Sequence, residues 1–335
     1  MTTDERLEGL IKLGEYINAI DEEELDALIA RVQNENPWFT PGSVDTALTG
    51  IRRYLDPQKL KQWISSYRLE PGVTRTVAVV MAGNIPLAGF HDTISVLISG
   101  HALMAKLSSK DSVLPKFLID KLIELEPQFG PLISLPERLK GFDAVIATGS
   151  DNSARYFNYY FGKYPHIIRQ NRSSCAILTG QETDDELVLL GRDVFTYFGL
   201  GCRNVSKIFI PSDYDPVKLI SAWDIYVDII HHHKYHNNYD YQKSILLVNK
   251  IPFYDSGFVI LQEHENLVSP VSVVYLERYN DPASLHTRLS AFADKLQCIV
   301  GKSAPDHVPF GQTQFPELWD YADRVDTIRF LETLS

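Results

Sequence analysis

The chain has 335 residues, of which 44% are hydrophobic and 22% charged, and its formal net charge is −11. This is ordinary for a globular chain of one large or two medium domains, and the acidic balance argues against nucleic acid as a main partner, because phosphate contacts need a basic face. Three scattered cysteines make no disulfide framework and point to a reducing compartment. The opening MTTDERLEGL lacks the basic and apolar regions of a signal peptide, and no apolar run reaches the length of a membrane span, so a cytoplasmic protein is expected.

Residues 1–70 read as an N-terminal helical segment, with Asp21 and Glu24 capping one helix and Asp56-Pro57 opening another at KLKQWISSY. From Arg75 the pattern changes to strands alternating with helices. TVAVVMAG is a buried strand, IPLAGFHDTISVLISG helical, ALMAKLS a strand, SVLPKFLIDKLIEL helical and FDAVIATGS a strand. HIIRQN and CAILTG add strands, and DDELVLLGRDVFTYF gives the next helix. A second set follows: strand VSKIFIP, helix DPVKLISAWDIYVDII, strands SILLVN, FVIL and VSVVYL, helix DPASLHTRLSAFADKL and strand CIVG. Such alternation implies βαβ units and mostly parallel sheets. It predicts two α/β halves joined near residue 195, with Cys202 at the start of the second.

Cys202 stands out in FGLGCRN. Glycines precede it, Arg203 and Asn204 follow, and a turn rich in backbone N–H groups favours a thiolate nucleophile whose own N–H can hold an oxyanion. The alternative is a structural thiol, the common use of an isolated cysteine. In MAGNIPLAG, Asn84 lies in a strand-to-helix turn at a sheet's carboxyl edge, where it is a second oxyanion donor or only the turn-forming residue before Pro. In ATGSDNSARYF, Gly149 lets a phosphate approach the backbone and Ser150 can bind an anion at a helix N-terminus, or simply cap it. His231–His236 holds four histidines, but three adjacent ones cannot all point one way and no zinc spacing is present. A polar segment near a cleft, without metal, is expected there. Near the C-terminus, Phe310-Gly311-Gln312 reads as a sharply bent loop within an aromatic-rich tail.

Taken in order, MAGNIP, FGLGCRN, HKYHNNYDYQKS and PFGQTQFPELWDYADRVDT resemble the acyl-CoA reductase family of bacterial luminescence, the LuxC family, over about residues 70–335. That family is a divergent branch of the aldehyde dehydrogenase superfamily. The resemblance implies an α/β, two-lobed, aldehyde-dehydrogenase-like fold. Its expected parts are a cofactor-binding domain at 71–195, a catalytic domain at 196–305 and a C-terminal segment, 306–335, returning to the cleft. It implies that Cys202 is the nucleophile, Asn84 the oxyanion asparagine and Lys106 the lysine at the adenosine ribose. Thr148, Gly149 and Ser150 match the turn over the pyrophosphate, and residues 309–311 match a loop that closes the site.

Two departures refine this implied chemistry. The glutamate that activates water in hydrolytic relatives has no counterpart in HIIRQNRSS, where Ile168 takes its place, and the nicotinamide-ribose glutamate aligns with Asn266, beside Glu265. Three residues beyond Lys106, Ser109 replaces the acid that selects NADH, which favours NADPH, with NADH the alternative; Asp111 nearby could restore repulsion of the phosphate. The implied reaction is reduction of an S-acyl-cysteine, formed from acyl-CoA or an acyl-protein, to a fatty aldehyde. A homo-oligomer and a partner resembling an acyl-protein synthetase are also implied. The alternative function is a non-redox acyl-transfer or regulatory module on the same fold.

Overall fold

A computed structural model describes residues 1–334, which form two compact units: residues 1–171 with 316–334, and residues 172–315. The boundary drawn near 195 differs from this division. β6 (Ser173–Ile177) is buried at every position and pairs within the second sheet, so the second unit begins before it.

The first unit opens with helices α1 (Thr3–Ala19), α2 (Glu22–Glu35), α3 (Pro41–Tyr54) and α4 (Pro57–Ile64). Side chains of Thr2, Asp21, Thr40 and Asp56 accept the first backbone N–H groups of these helices, the role that short polar residues fill at N-caps. Next come β1 (Thr76–Val80), α5 (Phe90–Ile98), β2 (Ala102–Lys106), α6 (Val113–Leu125), β3 (Ile133–Ser134), β4 (Ala144–Thr148), α7 (Asp151–Phe161) and β5 (His166–Arg169). Among the described residues they form a five-stranded parallel sheet of order β3-β2-β1-β4-β5. β1 reads TVAVV and is buried on both faces, as a central parallel strand must be. Val77 and Val79 pack towards α5, α6 and the N-terminal helices, while Ala78 faces the cluster holding Phe157 and Phe161 of α7.

The second unit contains β6, α8 (Asp184–Phe195), β7 (Val205–Pro211), α9 (Val217–Trp223), a 3₁₀ stretch (Asp224–His231) and α10 (His233–Val248). β8 (Tyr254–Asp255), β9 (Ile260–Glu263), β10 (Val273–Tyr279), α11 (Pro282–Ala291) and β11 (Leu296–Val300) complete it. Its sheet runs β11-β6-β7-β10-β9-β8 and is parallel except at the β8–β9 edge. Ile208 and Ile210 face α8 and α9, whereas Phe209 faces the α11 side.

SILLVN is a correction: it is the end of α10, not a strand. Tyr235, Tyr239 and Leu246 are buried on one helical stripe, while Leu247 and Val248 are 59% and 80% exposed, so burial follows the helical period and not alternation. The helix in IPLAGFHDTISVLISG begins only at Phe90, because Leu87 holds a left-handed turn at φ 59°. The C-terminal segment divides at 315/316. Its last part rejoins the first unit, where the Tyr321 hydroxyl meets Trp63 Nε1 at 2.7 Å and the Tyr67 hydroxyl at 2.8 Å, and α12 (Thr327–Glu332) packs beside α5.

The helical assignment of 245–248 gives a direct test. Leu246→Ala should cost about 2–3 kcal/mol and Val248→Ala less than about 0.5 kcal/mol in urea unfolding. A strand would put both residues on one face, so equal losses would contradict the helix.

Candidate functional site

In the first unit, the chain order reverses between β1 and β4, and ligands bind open α/β sheets outside the carboxyl ends of strands at such a point. The residues read from sequence gather at this edge. Asn84 follows β1, Lys106 ends β2 in register with Val80, and Thr148 ends β4 before Gly149 and Ser150. Ser150 caps α7 by accepting the Ser153 N–H at 3.2 Å. A Cβ on Gly149 would lie 2.9 Å from both Ser153 and Phe157, so the backbone there packs closer than any other residue permits. These features fit a dinucleotide, whose phosphates need bare backbone and a helix N-terminus.

The loop after β2 is held from two sides. A Cβ on Gly83 would run into Ser108, which fixes this loop against the Asn84 turn. From α2, Glu35 accepts the N–H groups of Ser112 and Val113 at 2.9 and 3.2 Å, and Asn36 Nδ2 donates to the Lys110 carbonyl at 3.1 Å. Ser109 is exposed. Asp111 is 1% exposed; its Oδ2 accepts the Leu87 N–H at 2.7 Å and its Oδ1 is buried without a hydrogen-bond partner. The acid therefore faces the Asn84 turn inside the protein. At the end of β5, Arg169 forms a buried ion pair with Asp92 and donates to Thr327 Oγ1 at 3.0 Å, while Ile168 packs among apolar neighbours of the sheet.

Cys202 lies in the second unit and is exposed, whereas Cys175 and Cys298 are buried; none of the three is in a disulfide. Burial pushes both buried thiols up, with Arg203 and Ser174 opposing it at Cys298. The loop before Cys202 is unusual. Tyr197, Phe198 and Gly199 are successively left-handed, at φ 53°, 57° and 77°, a conformation that costs a non-glycine residue about 1–2 kcal/mol. The Phe198 ring lies against His232 in a tilted arrangement, with centroids 4.3 Å apart, and also packs on Tyr235.

Asn204 secures this reversal. Its Nδ2 donates to the carbonyls of Asp193, Val194 and Thr196 at 3.0, 3.3 and 2.7 Å, and its Oδ1 accepts the Gly201 N–H at 2.8 Å. The end of α8 and the turn carrying Cys202 thus share one buried amide. Beneath the turn, Ser174 Oγ donates to the Cys202 carbonyl at 3.1 Å and lies 3.1 Å from Cys298 Sγ. From sequence, Asn204 stands out only as a neighbour of the thiol, two residues on, with nothing to announce this bracket, and Lys207, which is fully buried, does not stand out at all. Lys207 Nζ pairs with Glu277 and donates to the carbonyls of His264, Glu265 and Asn266 at 2.8, 3.0 and 3.1 Å, fixing the backbone where the ribose glutamate was sought.

The histidines diverge. His231 faces Asp228 at 3.7 Å, His236 faces Asp240 at 3.4 Å, and His232 caps α10. Among the described residues no group of three His, Cys, Asp or Glu is placed to hold a metal ion, and no helix is long and apolar enough to cross a membrane.

No family model and no curated protein matches the chain. Solved structures do. Aldehyde dehydrogenase 21 from Physcomitrella patens, in complex with succinate, is 13% identical at TM-score 0.64, covering 98% of this chain and 79% of that one. The NAD+ complex of a Bacillus cereus aldehyde dehydrogenase is 14% identical at TM-score 0.59, over 89% and 70%. Aldehyde dehydrogenase C of Pseudomonas syringae, a mutant with NAD+ and octanal, is 12% identical at 0.61, over 90% and 73%. The chain therefore has the aldehyde dehydrogenase fold.

Asp111 yields a pH prediction. Burial lifts its carboxyl from 3.8 to about 7, against the opposing Leu87 N–H. The folded state then binds this proton more tightly than the unfolded chain, so the stabilisation is complete below about pH 4 and is lost as pH rises through 7. The change is on the order of 4 kcal/mol. Asp111→Asn should flatten this part of the profile in urea midpoints taken from pH 5 to 8; an unaltered slope would mean that the carboxyl titrates as in water.

Proposed function

We propose that this protein is a nicotinamide-dependent acyl-CoA reductase with Cys202 as its nucleophile. The observation that carries the reading is the Cys202 turn: an exposed thiol on a strained reversal held by Asn204, in a chain whose other two thiols are buried. Strain of this kind persists where the surrounding structure enforces it, and functional sites are where it collects.

Cys202 thiolate attacks the carbonyl of an acyl thioester, the coenzyme A or carrier thiolate leaves, and an S-acyl enzyme remains. Asn84 and the Cys202 N–H stabilise the oxyanion. Reduced nicotinamide, when bound, supplies the hydride. The resulting thiohemiacetal on Cys202 gains a proton and collapses to aldehyde and free thiol. Thr148, Gly149 and Ser150 would hold the pyrophosphate and Lys106 the adenosine ribose. The NAD+ in the Bacillus cereus and Pseudomonas syringae structures supports a nicotinamide partner, and the octanal of the latter supports an aliphatic product.

Two features support reduction over hydrolysis and NADPH over NADH. β5 offers no carboxylate to activate water, since HIIR carries no acid and Asp92 beside it is paired with Arg169. Ser109 and Lys110 are exposed while Asp111 is buried under Leu87, so no acid in this loop is left to repel a 2′-phosphate.

Absorbance of NADPH with acyl-CoA tests the reading. Cys202→Ala should abolish oxidation, with Cys175→Ala and Cys298→Ala active. Asn84→Ala should lose about 10²–10³ in turnover with cofactor binding intact, and Ser109→Glu should raise the Michaelis constant for NADPH. Full activity in Cys202→Ala would refute the mechanism.

A further inference from the structure

The Pro309-Phe310-Gly311 loop meets α8 at the turn that also anchors Cys202. Asp193 of α8 is 1% exposed. Its Oδ2 accepts the Gly311 N–H at 2.7 Å, and its Oδ1 accepts the Thr313 N–H at 3.0 Å and the Thr313 hydroxyl at 2.8 Å. Its own carbonyl accepts Asn204 Nδ2 at 3.0 Å, and Asn204 Oδ1 holds Gly201. One residue thus joins the nucleophile turn to the C-terminal loop through buried hydrogen bonds.

The rest of the loop follows the same helix. Gly311 is left-handed at φ 78°, and a Cβ there would lie 3.0 Å from Leu189 of α8. Phe315 lies under the Arg192 guanidinium at 5.0 Å, and Phe310 is buried in the core cluster that holds Val194 and Phe195. A loop that moves as a lid lacks such anchorage, because opening would strand a buried carboxylate and expose a core aromatic ring.

We infer that Asp193 is a positioning residue that makes 309–313 a fixed wall in register with Cys202, and not a lid. The inference rests on the reading of Cys202 as nucleophile. Burial lifts the Asp193 carboxyl to about 6, against the Gly311 and Thr313 donors, so it is ionised and accepts all three bonds at neutral pH.

The test uses Thr313→Val, which removes one donor and keeps the buried shape, with Thr313→Ser as the conservative control. Amide exchange is measured by NMR in the whole protein without ligand. Wild type should protect Gly311, Thr313 and Gly201. Thr313→Val should lower protection at all three by roughly tenfold or more, the worth of a hydrogen bond to a charged group, and Thr313→Ser should restore it. Acylation of Cys202 should slow by about tenfold in the Val variant alone, with the Michaelis constant for NADPH unmoved. Fast exchange at Gly311 in wild type, or loosening of Gly311 that leaves Gly201 protected, would overturn the inference. Acylation unaltered in the Val variant would do so as well. Absence of acylation in wild type, with the exchange pattern as expected, would instead overturn the reductase reading.

Discussion

The side-chain amide of Asn204 is the interaction on which the candidate chemistry depends. A helix ends with carbonyls that lack partners, and here the chain must also reverse through two left-handed aromatic residues before reaching Cys202. Asn204 answers both demands by bonding three carbonyls at the end of α8 and the amide of Gly201. The two Nδ2 protons are shared among the three carbonyls and Oδ1 accepts one more bond; at about 0.5–1.5 kcal/mol for a typical hydrogen bond, three can offset the cost of two left-handed side chains. The same helix turn holds the 311–313 loop through Asp193, so a short stretch of α8 organises both loops.

The first unit uses close backbone approach in place of an amide bracket. Gly83 and Gly149 sit where a Cβ would collide with a neighbouring loop or with α7, so at both turns the backbone packs closely against its neighbours. The N-terminal helices contribute directly, since Glu35 caps α6 from outside and Asn36 holds the Lys110 carbonyl. This segment therefore shapes the loop that carries Ser109.

Much of this was legible in the sequence because it is local. The strands TVAVV, ALMAK and AVIAT announce themselves as short buried runs, and the N-caps Asp21 and Asp56 mark helix starts. SILLVN misleads because a short apolar run reads alike as strand or helix end; tertiary burial of Leu246 alone decides it. The unit boundary misleads because β6 follows β5 after three residues yet belongs to the other sheet. Asp193 could not be singled out at all: its partners Gly311 and Thr313 lie 118 and 120 residues away, and no spacing announces them.

The most direct measurement is the intact mass of the protein after brief exposure to acyl-CoA, followed over time. The account predicts one acyl group on the Cys202 peptide that is stable in water, because no acid stands at Ile168, and that is discharged to aldehyde when NADPH is added. An adduct that forms elsewhere, that hydrolyses as fast as NADPH removes it, or that NADPH leaves untouched would contradict it.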